Sequence, residues 1–218
     1  VGLAGSVPGG APGAPARSVR AADAERVAVR VGSRPGGRNE RNRRAVAEAV
    51  LAMLAEGRVE LAAAEIADRS GVHRSTVYRR WPHRADLVRE ALTVHTRDLA
   101  VPDTGSWAGD VYALARELAA FCARPAEVAM NAVLATGADP ELAALLRAHW
   151  EPLFVEFAVV VDRSVERGEL ASDVDPAAIL NLLIAPLLVD TVLLRTPTSP
   201  ERVRALADTL GRLGSAGR

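Results

Sequence analysis

LAAAEIADRSGVHRSTVYRRW, residues 61–81, sets the reading of the whole chain. Ile66 and Ala67 give an apolar face with a small residue where a second helix must approach closely. Gly71 stands where a tight helix–helix turn needs left-handed backbone, which only glycine adopts freely. Val72 follows as an apolar plug, and Val77 faces back to Ile66. The order apolar, small, glycine, apolar, then a polar outer face predicts a helix-turn-helix. Its second helix, Arg74 to Arg80, crowds Arg74, Ser75, Thr76, Tyr78, Arg79 and Arg80 onto two turns. A short helix of this kind presents its first residues to base edges in the major groove. Arginine can grip guanine with two hydrogen bonds, and hydroxyls suit phosphates or bases.

The surrounding sequence agrees with a helical protein. Val46, Val50, Met53 and Leu54 recur at spacings of three and four, so a helix runs from about Asn39 to Gly57. A second helix covers 62–70 and a fourth runs from 82–84 to about Leu99. Beyond it, prolines follow Arg124, Asp139, Glu151, Asp175 and Ser199. Proline is tolerated at the first helical position, and Asp or Ser before it caps free N–H groups. This predicts helices near 106–123, 125–135, 140–150, 152–168, 176–195 and 200–213, and no strands. Residues 1–37, rich in Gly, Pro and Ala and basic at their end, read as a disordered arm.

Composition narrows the function. The 218 residues are 49% apolar but only 4% aromatic, which favours an Ala-, Leu- and Val-built helical core. Net charge is zero yet unevenly spread. Residues 1–100 hold 17 arginines against 11 acids, and residues 101–218 hold 10 against 16. This asymmetry suggests that the basic half faces an anion, with nucleic acid as the leading partner and a membrane surface second. One cysteine, Cys122, excludes an internal disulfide framework and fits a reducing cytosol. The apolar run 176–194 is interrupted by Asn181, Pro186 and Asp190, so it reads as a buried helix rather than a membrane span. The four histidines are scattered, and there is no nucleophile motif and no glycine-rich phosphate loop. No catalytic site, metal site or cofactor is expected.

Ile66-Ala67, Gly71-Val72, Ser75-Thr76, Tyr78, Trp81 and His83-Arg84 together resemble the helix-turn-helix of the TetR (tetracycline-repressor-like) transcriptional regulators. RGEL at 167–170, DVDP at 173–176 and an apolar helix containing Pro186 are similar to C-terminal domains of that family. Two features depart from it. His73 stands where relatives often carry a capping Ser, and Leu61-Ala62-Ala63 lacks the Thr that often touches phosphate.

The resemblance implies an all-α fold. An N-terminal three-helix head (38–83) is joined by a linking helix to a C-terminal helical domain for effector binding and dimerisation (84–218). It implies a cytoplasmic homodimer, paired through helices 152–168 and 176–195, that binds a near-palindromic double-stranded DNA operator and is released by a small molecule of unknown identity. The DNA contacts would then be Arg43, Arg44, His73, Arg74, Ser75, Thr76, Tyr78, Arg79, Arg80, His83 and Arg84. Candidate effector contacts are Trp107, Tyr112, Cys122, Met130, Asn131, His149, Trp150 and Phe154, although at helical spacing most such side chains serve a core. A closed, pocketless C-terminal core would instead indicate an architectural DNA-binding protein.

Overall fold

The helix-turn-helix expected over 61–81 is present in a computed structural model, which describes residues 37–215. The arm expected over 1–37 lies outside these residues, apart from Gly37. Nine α-helices occur among the described residues: α1 Arg38–Ala55, α2 Ala63–Ser70, α3 Arg74–Arg80, α4 Arg84–His95, α5 Trp107–Cys122, α6 Pro125–Thr136, α7 Pro140–Glu166, α8 Pro176–Leu188 and α9 Pro200–Gly211. No strand is present among them.

The turn chemistry accounts for the head. Gly71 ends α2 with φ +66°, the left-handed conformation the turn requires. Ile66, Ala67, Val72, Val77 and Trp81 are all buried and close on Val46, Val50 and Met53 of α1 and on Leu87, Val88, Ala91 and Leu92 of α4. The same core takes in Ala126 and Met130 of α6 and Leu142 and Leu146 of α7. A second core joins α5, the later part of α7, α8 and α9, and α5 lies along α9.

Proline and its preceding cap start three of the later helices as expected. Asp139 accepts from Leu142 N at 2.9 Å, Asp175 from Ala177 N at 2.9 Å and Ser199 from Arg202 N at 3.3 Å. Pro152 is different. The break expected there does not occur, because α7 runs unbroken through it for 27 residues. An interior proline costs a helix about 3 kcal/mol. Here the helix is clamped on both sides of it, by Leu142 and Leu146 in the first core and by Phe157, Val160 and Val161 in the second. The single helix expected over 176–195 is α8 followed by a π-helical turn, Val189–Leu193, three residues after the internal Pro186. Helix α4 stops at His95, four residues short of expectation.

Candidate nucleic-acid interface and apolar cavity

On the recognition helix α3, Tyr78 is 53% exposed, and Arg74, Ser75, Arg79 and Arg80 are exposed around it. Thr76 is half-buried beside them. His73 caps the helix: its Nδ1 accepts from Ser75 N at 3.3 Å and lies 2.8 Å from Ser75 Oγ. It thus does the capping work expected of a serine at this position, and spends its Nδ1 on the protein. Arg74 is held by Asp68 of α2 through Nε–Oδ1 at 3.3 Å and Nη2–Oδ2 at 2.7 Å. That hydrogen bond raises its already high pKa further. Arg80 bonds Asn39 at the start of α1 and lies over the Trp81 ring. Arg44 and Arg79 have no carboxylate partner among the described residues, and both are exposed.

The remaining expected DNA contacts have other partners. Arg43 donates to Glu90 Oε1 at 2.8 Å, and Trp81 Nε1 donates to the other oxygen of Glu90 at 3.3 Å. Arg43 therefore braces α1 against α4. Arg84 donates to the Val59 carbonyl at 3.0 Å, to Glu141 at 3.3 Å and to Asp139. Arg84, expected among the DNA contacts, is here a strut between the start of α4 and the start of α7. His83 is the exposed N-cap of α4, where its backbone N–H donates to Asp86 Oδ2 at 3.2 Å.

In the second half of the chain a cavity of about 650 Å³ opens between α5, α6, α7 and α8. Its apolar wall includes Leu118, Phe121, Trp150, Phe154, Phe157 and Ile184. Of the expected effector contacts, Cys122, Asn131, Trp150 and Phe154 line it. Trp107, Tyr112, Met130 and His149 do not. Trp107 is buried between α5 and α9 with its indole N–H on the Leu210 carbonyl at 2.9 Å. Tyr112 sits between Arg116 and Arg204. Met130 belongs to the head's core. His149 lies beside the cavity and contacts Thr96 Oγ1 through Nε2 at 3.1 Å. The Thr96 hydroxyl already donates to the Leu92 carbonyl at 3.0 Å, so His149 Nε2 is the donor in that pair. Burial, then the neighbouring His95, lowers the His149 pKa. Burial, reinforced by Glu127, pushes the Cys122 thiol up to about 12, so it stays protonated.

Glu127, which sequence reasoning missed, is the polar centre of this wall. It lines the cavity and is buried. Its Oε2 accepts from His95 Nε2, the last residue of α4, at 3.1 Å, and its Oε1 accepts from Asn131 Nδ2 at 2.7 Å. The His95 ring lies 4.6 Å from the Phe121 ring, centroid to centroid. Arg124 donates to the His95 carbonyl at 3.1 Å. A glutamate in the first turn of a proline-started helix reads in sequence as an ordinary dipole-complementing acid, and nothing local marks it as buried.

Comparison with known proteins agrees with this architecture. Residues 101–210 match the family model described as the tetracyclin repressor-like C-terminal domain, and residues 45–80 match an IclR helix-turn-helix domain model. The chain is 31% identical over 147 residues to the HTH-type transcriptional regulator AqdR of Rhodococcus erythropolis, spanning 66% of this chain and 71% of that one. It is 28% identical over 137 residues to the DNA-binding transcriptional repressor TetR of Mycobacteroides abscessus, spanning 60% and 70% of the two chains. The crystal structure of the TetR family transcription regulator SCO0332 superposes with a TM-score of 0.62 at 25% identity, covering 79% of this chain and 97% of that one. With half of its length matching the family's C-terminal domain behind a helix-turn-helix head, the chain belongs to the TetR family of transcriptional regulators.

Proposed function

We propose that the protein is a ligand-released, homodimeric repressor that reads a near-palindromic operator in the cytoplasm. The observation that carries the release mechanism is the Glu127–His95 bond, because it ties a wall of the cavity to the end of the helix leading back to the head. A ligand that displaces Glu127 moves the C-terminus of α4. Arg84 holds the other end of α4 to α7, so the displacement is passed to the head rather than absorbed. The ligand need only favour the non-binding arrangement by a coupling of about 1–3 kcal/mol. An open cavity at this place also favours a ligand-responsive regulator over an architectural protein.

The dimer reading is supported by an uncovered apolar face. Val155 and Val159 of α7 and Leu182 of α8 are 68%, 43% and 57% exposed. The stretch Pro176–Leu193 is long and apolar enough to cross a membrane by length and composition, with a mean hydropathy of 1.9 and 33% of it buried. Its Ile179, Leu180, Leu183 and Leu187 pack in the second core, and a second copy of the chain would cover the opposite side. Twofold pairing there would set two recognition helices roughly 34–36 Å apart, the repeat of the major groove.

The test is selection of bound duplexes from a random library by the full chain, followed by footprinting of the enriched site. The expected product is an inverted repeat protected as one symmetric unit by two chains. Enrichment of a single unrepeated half-site, or of no sequence at all, refutes the proposal.

A further inference from the structure

The cavity wall carries four aromatic rings and one amide whose orientation can be fixed. Asn131 Nδ2 donates to the Glu127 carbonyl at 3.0 Å and to Glu127 Oε1 at 2.7 Å. Both partners only accept. Turning the amide over would set its oxygen against two oxygens, so the nitrogen must face Glu127. Asn131 Oδ1 is therefore left as an acceptor without a partner among the described residues, on a side chain that lines the cavity. The Glu127 carboxylate is already met by donors on both oxygens. Arg147 and Glu151 lie one helical turn apart on the wall and are opposite in charge, so together they contribute no net charge.

The apolar wall is chiefly aromatic. Trp150 stands edge-on to Phe121 at 5.5 Å between ring centroids and lies 6.5 Å from Phe154. Phe157 completes the set. Rings presented at varied tilts receive a flat aromatic guest by edge-to-face and offset contacts, which add about 0.5–1.5 kcal/mol per pair beyond area burial. A volume near 650 Å³ accommodates a guest of several fused rings.

We propose that this cavity takes a neutral, flat, polycyclic aromatic ligand carrying one hydrogen-bond donor, which Asn131 Oδ1 receives. The inference rests on the effector reading above only for what binding does to DNA. The ligand class stands on the wall itself. A donor bound at Asn131 lies one residue contact from Glu127, and so at the start of the connection to His95.

The test uses the full chain without DNA and three probes: 1-hydroxypyrene, 1-methoxypyrene, which has the same rings but no donor, and 1-dodecanol, which has a donor but no rings. Binding of the two pyrenes is followed by energy transfer from tryptophan, and dodecanol is titrated in competition. The expected result is that hydroxypyrene binds about tenfold more tightly than methoxypyrene, the scale of one hydrogen bond formed in a dry site. Asn131→Leu should bring the two within about twofold by weakening hydroxypyrene alone. Phe154→Ala should weaken both and preserve their ratio. Equal affinity of the two pyrenes for the wild-type chain, tighter binding of dodecanol than of hydroxypyrene, or no pyrene binding would each overturn the proposal. The wild-type comparison needs no variant to fold. If hydroxypyrene binds as expected but leaves the selected operator bound, the release mechanism fails and the ligand class survives.

Discussion

Replacing Glu127 by leucine tests the polar centre that joins cavity and linking helix. The carboxylate and the imidazole of His95 are 4% and 5% exposed, so neither can turn to water when the other is lost. Glu127→Leu leaves the His95 Nε2–H without its acceptor and deprives Asn131 of one of two acceptors. An unsatisfied buried donor costs about 1–3 kcal/mol, so full loss at His95 and partial loss at Asn131 come to about 3 kcal/mol. For a domain of this size that lowers Tm by about 6–12 °C. His95→Phe added to Glu127→Leu should recover most of the loss. The phenyl ring keeps the contact with Phe121, now 4.6 Å between centroids, and position 95 no longer presents a buried donor, while Asn131 keeps the Glu127 backbone carbonyl as its acceptor. Exchanging both members of a buried polar pair for apolar groups is commonly near neutral, whereas removing one is not. Urea unfolding at one fixed protein concentration measures the cycle, so that any self-association, whose contribution depends on concentration, is sampled under the same condition for every variant. The double variant should lie within about 1 kcal/mol of wild type. Strictly additive losses would refute a direct His95–Glu127 interaction, and with it the physical link between cavity wall and α4.

Four further outcomes follow from the same geometry. In the proposed dimer, Leu182→Glu would place a charge twice in the twofold interface, so sedimentation should show monomers at micromolar concentration with unchanged helicity; a persistent dimer places the interface elsewhere. The Asp139 carboxyl is held below the usual range first by the Arg84 hydrogen bond and then by the Leu142 N–H, so its contribution is complete above about pH 4 and is lost as pH falls through the lowered folded value. Arg84→Met should therefore flatten the acid fall of the urea midpoint between about pH 5 and pH 2, and an equally steep fall would exclude the strut as its source. Asp68→Asn frees Arg74 and removes a negative charge from the DNA-facing side, so affinity for random duplex should rise while preference for the selected operator drops; preference that is retained would show that Asp68 does not orient Arg74. Tyr78→Ala should weaken operator binding in a gel-shift titration and leave the dimer intact, and unchanged affinity removes Tyr78 from the interface.

The head was legible because its determinants are local. Gly71, Ile66, Val77 and Trp81 lie within one short stretch, and turn stereochemistry leaves little choice in how they pack. Proline starts were legible where a capping Asp or Ser stood before them, at 139, 175 and 199. Pro125 starts α6 without any side-chain cap, so at Pro152 it is the tertiary clamping of α7, not a missing cap, that overrides the local preference. The cavity was harder to read. Trp107 and Phe154 both look like residues of an apolar helix face, yet one is sealed by a carbonyl 103 positions away and the other faces open space. Met130 and Asn131 are neighbours on α6, and one enters the head's core while the other lines the cavity. Helical periodicity says that a face is buried, but not against which partner.

That division of α6 bears on how a signal can travel. Met130 of α6, with Leu142 and Leu146 of α7, is packed into the same core as the helix-turn-helix, so the head is not suspended from α4 alone. A packed core resists gradual deformation and moves as a block. Helix α7 continues from that block through Pro152 into the second core, and Arg147, Trp150, Glu151 and Phe154, which line the cavity, flank the proline on both sides. Pro152 has no N–H to give the carbonyl one turn back, so the helix lacks one of its own hydrogen bonds where the cavity touches it. On the proposed reading, a ligand there would act on α7 at its least braced turn and on α4 through Glu127 at the same time. Both routes end at Arg84 and its partners Asp139 and Glu141, where the two helices begin side by side beneath the head. Under the proposed release, two helices displaced together at one end and pinned to each other at the other would turn the head as a unit, and in the proposed dimer would change the spacing of the recognition helices without disturbing the turn that shapes each one.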